Sequence, residues 1–144
     1  MKDWQSQAHV RWECLYHVVI VPKYRRKEFY GRLRKGIGEI MRELCRQKEI
    51  GIVEGNAMPD HIHMLLSIPP KYSVAMTMGY LKGKSAVRIH RDLMKTKGTM
   101  FGRSFWARGY CVSTVGLDED RIRAYIRDQE ELGQHTDQGE LDLN

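Results

Sequence analysis

Residues 50–68 read IGIVEGNAMPDHIHMLLSI. The β-branched and aliphatic residues at its start predict a strand over 50–57, and Met58-Pro59-Asp60 predicts a turn. Residues 61–68 then return as a second strand, which Pro69-Pro70 ends. In that return strand Ile62, Met64, Leu66 and Ile68 alternate with His61 and His63. Side chains two apart in a strand share a face, so one face is apolar and suits a core. The other carries two imidazoles whose alpha carbons lie roughly 6.6 Å apart at about 3.3 Å per residue.

Working outward, residues 11–22 (RWECLYHVVIVP) predict a central strand, followed by a basic loop, Lys23-Tyr24-Arg25-Arg26-Lys27. Apolar residues at Phe29, Leu33, Ile37, Ile40, Met41, Leu44 and Cys45 step by three and four, which predicts a helix over 29–48. Gly31, Gly36 and Gly38 weaken its first half. Ser73 predicts the cap of a helix reaching about Lys95. Residues 104–115 (SFWARGYCVSTV) predict a fourth strand, broken by Gly116. Asp118-Glu119-Asp120 opens a last helix, with three acids suited to its dipole and Gly133 as its stop. The order β-α-β-β-α-β plus a helix is the split βαβ pattern, an α+β ferredoxin-like fold with an additional C-terminal helix. It places two helices on one sheet face and leaves the other free. A single domain over 1–144 is expected, with a core of about 11–133 and an acidic tail at 134–144.

Composition narrows the function. The chain has 144 residues, is 42% hydrophobic and 29% charged, and carries a net charge of +6. Up to residue 115 it has 21 Lys and Arg against 9 Asp and Glu; thereafter it has 3 against 9. A basic body of this kind points to a polyanion, with nucleic acid first. Apolar runs of about four residues, such as Val18–Val21, fall far short of a membrane span. The N-terminal residues show no secretory stretch, so a cytoplasmic protein is expected. Cys14, Cys45 and Cys111 form no C-x-x-C pair and are expected to be reduced. Lys84, Arg88, Arg91 and Lys95 recur at helical spacing. With Lys23, Arg25, Arg26 and Lys27 they are candidates for backbone contacts to DNA, or simply for a solvated face.

The His61/His63 pair can chelate a metal, but with six histidines in 144 residues a shuffled chain carries such a pair about 0.25 times. Spacing alone does not decide it. His17 reads as a satisfied core or sheet-face histidine, and His9, His90 and His135 as surface residues. Tyr125 and Gln129 lie four apart and share a helix face, either as an amphipathic edge or as a phenolic nucleophile beside an amide ligand.

Four words in order carry a resemblance. Pro59-Asp60-His61-Ile62-His63-Met64-Leu65-Leu66 resembles the H-U-H motif, where U is a bulky apolar residue. Tyr16-His17-Val18-Val19 with Pro22-Lys23-Tyr24-Arg25 resembles an opening strand, and Phe105-Trp106-Ala107-Arg108-Gly109-Tyr110 a closing one. Ala124-Tyr125-Ile126-Arg127-Asp128-Gln129 resembles a nucleophile helix. The family is the single-tyrosine HUH transposases, the TnpA proteins of minimal IS200-like insertion sequences. The resemblance covers about residues 11–133. It implies that Tyr125 is the nucleophile and that His61, His63 and Gln129 bind Mg²⁺ or Mn²⁺. It further implies single-stranded DNA with hairpin ends as substrate, a 5′-phosphotyrosine intermediate, a homodimer in which the tyrosine helix can serve either subunit, and Gly116 as a hinge.

Two imidazoles and an amide bring no negative charge, so a hard ion would bind weakly until a phosphate arrives. No Walker-type motif is present, and no nucleotide cofactor is expected. A free tyrosine has a pKa near 10, so activation needs a metal or a base; the sequence names no obvious base and offers Asp60 and Glu54 only as candidate neighbours. Two alternatives stand beside this reading. A domesticated repeat-associated tyrosine transposase would be expected to carry extra basic C-terminal sequence, whereas this chain ends in QGELDLN. A non-catalytic ferredoxin-like module binding single-stranded nucleic acid would not need His61, His63, Tyr125 and Gln129 together.

Overall fold

The computed structural model describes residues 5–7, 10–95, 105–114, 116 and 118–142. Two short strands, β1 (Gln5–Gln7) and β2 (Val10–Trp12), pair only with each other. The main sheet contains β3 (Leu15–Ile20), β4 (Gly51–Ala57), β5 (Ile62–Ser67) and β6 (Cys111–Ser113) in the order β4-β5-β3-β6. Every pairing is antiparallel. With α1 (Lys27–Gln47) between β3 and β4 and α2 (Val74–Arg88) between β5 and β6, this is the ferredoxin-like arrangement, and α3 (Glu119–Asp142) follows it.

The alternation in β5 sets the layers. Ile62, Met64 and Leu66 are buried with Val18 and Ile20 of β3 against Ile37, Ile40, Met41 and Leu44 of α1 and Met78, Leu81 and Ala86 of α2. The glycines of α1 do not prevent the helix, because burial of this stripe outweighs their propensity cost of about 1 kcal/mol each. Ser73 caps α2 as expected: its hydroxyl accepts a bond from the Met76 N–H at 3.0 Å.

Several expectations are corrected. The strand expected over 11–22 is shorter, since Val10–Trp12 pairs in a separate hairpin. The basic loop is a 3₁₀ turn, Tyr24–Arg26, running into α1. The second helix passes at Arg88 into a π turn, Ile89–Leu93, closed by Met94 N–H to the Ile89 carbonyl at 2.8 Å. The fourth strand is split. Ala107 N–H bonds the Val21 carbonyl at 2.7 Å, then Gly109 turns the chain at φ +76° before β6 pairs with β3. Lys82 Nζ satisfies the carbonyls this break leaves, donating to Ala107 at 2.8 Å and Gly109 at 2.7 Å. Residues 104 and 115 of that expected strand lie outside the described residues.

Gly133 does not stop α3, which continues to Asp142 and takes most of the acidic tail with it. Its lack of a side chain serves a close approach instead: a Cβ there would sit 2.7 Å from the Tyr24 Cβ. An ion pair between Lys27 and Glu130 joins the same two segments. Nor is the second sheet face free. Ile122, Tyr125 and Ile126 of α3 pack on Val19, Val21, Ala107 and Cys111.

Gly133→Ala should therefore lower the unfolding free energy by about 1–3 kcal/mol. Urea denaturation checks this, and Tyr24→Gly in the same chain should recover part of the loss.

Candidate functional site

The β4–β5 turn builds the first half of the site. Met58 N–H donates to the His61 carbonyl at 2.8 Å and closes the turn around Pro59-Asp60. The buried Tyr30 hydroxyl of α1 donates to the same carbonyl, so the backbone of His61 is fixed from two sides. Burial holds the Tyr30 phenol well above its ordinary range, and it stays a donor. The His61 ring is itself nearly buried, with Nδ1 2.8 Å from Asp60 Oδ1. A carboxylate only accepts, so this nitrogen carries a proton, and in the neutral ring Nε2 keeps its lone pair.

His63 follows two residues later on the same face, half-buried, paired in register with Val19 of β3 and Asn56 of β4. Its Nε2 lies 3.1 Å from Nδ1 of His17. Burial and the neighbouring His17 and His61 push its pKa below the usual histidine value, while Glu54 works the other way. Glu54 reaches this face because β4 bulges between Ile52 and Glu54. His17, read from the sequence as an ordinary sheet histidine, is thus part of the cluster. Sequence alternation puts it on a face of β3, but only strand pairing puts it beside His63.

The second half comes from α3. Asp118 caps the helix, accepting from Arg121 N–H at 2.8 Å. Tyr125 and Gln129 project from one side of it, as their spacing predicts. The Tyr125 ring packs with Ile122, Ile126, Val19 and Cys111, and its hydroxyl is enclosed without a hydrogen-bond partner. Burial pushes its pKa up to about 12, the neighbouring Cys111 adds to this, and the nearby Gln129 amide opposes both. Tyr125 and the histidines lie on the same sheet face, linked through Val19, which packs on one and pairs with the other. Among the described residues, no hydrogen bond joins the two halves, and no three His, Cys, Asp or Glu side chains converge to hold a metal ion.

The basic candidates divide. Lys23, Arg25 and Lys84 are exposed. Arg88 and Arg91 share Asp92, at 3.6 and 2.7 Å. The α2 stripe belongs to the helix layer on the far side of the sheet from His61 and His63, and the π turn breaks its spacing at Arg91. Gly116 has open space around its Cβ position and an ordinary φ, so nothing local there requires glycine. The free Cys45 is buried, and the free Cys14 and Cys111 are half-buried.

A mixed sheet-and-helix body with a histidine pair and a tyrosine helix on one face is the arrangement that the resemblance to the tyrosine transposases implies. The comparisons agree. Residues 10–129 match the family model described as IS200-like transposase. Over 129 residues the chain is 50% identical to the transposase for insertion sequence element IS200 of Salmonella typhimurium, covering 90% of this chain and 85% of that one. It is 31% identical over 115 residues to the ISDra2 transposase TnpA of Deinococcus radiodurans, covering 79% and 82%. The chain belongs to the IS200-like transposase family.

Among solved structures, a candidate transposase of Deinococcus radiodurans R1 superposes with a TM-score of 0.70 at 28% identity, covering 90% of this chain and 98% of that one. A REP-associated tyrosine transposase bound to a REP hairpin gives 0.53 at 12% identity, covering 88% and 68%, a likeness of fold. No described helix is long and apolar enough to cross a membrane.

Because the Tyr125 hydroxyl is buried without a partner, Tyr125→Phe should raise stability by about 1 kcal/mol at neutral pH. Tyr125 keeps its proton in the folded state up to about pH 12, whereas an unfolded tyrosine ionises near 10. Its contribution is therefore constant below pH 10 and is lost as pH rises through 12. Urea melts across that window should show a smaller alkaline loss in Tyr125→Phe.

Proposed function

We propose that this transposase cleaves and rejoins single-stranded DNA at hairpin-bearing element ends through a 5′-phosphotyrosine. The observation that carries the reading is the placement of Tyr125, on its own helix, over the sheet face that holds His61 and His63. The Tyr125 oxygen attacks the scissile phosphorus as its proton leaves, forming the tyrosyl–phosphate bond. The P–O3′ bond breaks, and the departing oxygen takes a proton to become a free 3′-hydroxyl. In the rejoining step a 3′-hydroxyl attacks a phosphotyrosine and Tyr125 recovers its proton. The covalent bond conserves the energy of the phosphodiester, so the reading includes no nucleotide cofactor.

A divalent ion fits the donor set. His61 offers Nε2 with its other nitrogen already held by Asp60, His63 stands beside it, and Gln129 supplies an amide oxygen. These neutral ligands suit a weakly held Mg²⁺ or Mn²⁺ with open positions for a phosphate. Bound there, the ion supplies Lewis-acid stabilisation of the phosphate and the leaving oxygen. The enclosed phenol must be uncovered before it attacks, so α3 shifts against its Tyr24 and Lys27 contacts. A homodimer, in which α3 of one subunit completes the site of the other, belongs to this reading through the family resemblance. The hairpin substrate is supported by the fold shared with the REP-hairpin complex.

A labelled single-stranded DNA carrying the element end, incubated with Mn²⁺ or Mg²⁺, should give a protein-linked band on a denaturing gel. EDTA and Tyr125→Phe should each abolish it, while Tyr125→Phe still shifts the DNA on a native gel. Cleavage retained in Tyr125→Phe would overturn the assignment. Separately, reversing the charges of Arg88 and Arg91 should weaken binding and flatten its salt dependence; an unchanged slope would remove the α2 stripe from the DNA surface.

A further inference from the structure

We infer that His17 is a positioning residue for His63: it fixes the tautomer and ring orientation that present His63 Nδ1 to the ion. The inference rests on the metal reading above and assigns a role to a residue outside the proposed ligand set.

The geometry is specific. His17 sits in the middle of β3, on the face away from the core, with its half-buried ring 5.3 Å from that of His63 and tilted by 32°. The contact is directional, Nδ1 of His17 to Nε2 of His63 at 3.1 Å. A neutral imidazole has one donor and one acceptor, so this contact is a hydrogen bond only if one of the two nitrogens carries a proton. A metal ligand needs a lone pair. With His63 Nε2 engaged by His17, the nitrogen left for the ion is Nδ1. That nitrogen has a lone pair only when Nε2 is protonated and donates to His17 Nδ1. His17 is then protonated on its own Nε2.

The arrangement parallels the other histidine. Asp60 holds Nδ1 of His61 and frees Nε2; His17 holds Nε2 of His63 and frees Nδ1. Metal-binding imidazoles ordinarily have the outer nitrogen held by such a partner, and losing it costs about 10–100-fold in metal affinity or activity. His17 is not itself a third ligand: among the described residues no three histidine, cysteine or acidic side chains converge on a point that could hold an ion.

Two measurements on the full chain test this. In the metal-free protein, ¹⁵N NMR of the imidazoles should show His63 as the Nε2–H tautomer, and His17→Ala should shift it to a mixture. An Nδ1–H tautomer in the unmodified protein, or no change in His17→Ala, overturns the proposal. In Mn²⁺ titrations followed by EPR, His17→Phe should lose about 10–100-fold in affinity and His17→Gln, which restores an acceptor oxygen, should recover most of it. If His17→Phe does not fold, His17→Ala takes its place. Two imidazole nitrogens should couple to bound Mn²⁺ in the unmodified protein and in His17→Gln. Unchanged affinity in the variant lacking an acceptor overturns the proposal. So does loss of a coupled nitrogen in His17→Gln, which would make His17 a ligand. Failure of the metal reading looks different: the unmodified chain binds no Mn²⁺, and its DNA adduct survives EDTA.

Discussion

The pairing of β3 with β5 is the constraint on which the rest of the molecule depends. Its register puts Val18 opposite Met64 and Val19 opposite His63. A strand has a period of two, so the same pairing that buries Ile62, Met64 and Leu66 against α1 and α2 sends His61 and His63 to the other face. A slip of one residue would place both imidazoles in the core and the aliphatic residues in solvent. Core and site are two sides of one register, and the apolar side, being far costlier to expose, fixes the polar one.

The second constraint is the docking of α3. Its inner side is held by the small cluster of Val19, Val21, Ala107 and Ile126, and its middle by Gly133 against Tyr24 and by Lys27 with Glu130. This contact set is smaller than the main core and includes a buried hydroxyl without a partner. An unsatisfied buried donor opposes docking by about 1–3 kcal/mol. The unpartnered hydroxyl therefore loosens the helix that carries it, which suits the release of Tyr125 that the proposed function calls for.

Much of this was legible beforehand. The alternation of residues 61–68 named the core face and the histidine face, Ser73 named a cap, and the four-residue step from Tyr125 to Gln129 placed both on one side of a helix. Other features were not legible. Trp12 and Val18 look alike as strand residues, yet one belongs to an isolated hairpin and the other to the central sheet. Gly133 resembles a helix stop because the Tyr24 contact that requires it is distant in sequence. The Arg88–Arg91 spacing assumed 3.6 residues per turn, and a π turn intervenes.

The sequence by itself determined the βαββαβ order of the main sheet with its last helix, the two faces of β5 and the residue types that the proposed chemistry uses, because each depends on neighbours within a few positions. Only the tertiary structure decided that His17 stands 3.1 Å from His63, that α3 packs on the face expected to be open, and that burial raises the pKa of Tyr125. Those facts depend on which strands pair and which helix packs where. Such long-range contacts are set by the free energy of the whole fold and not by local pattern.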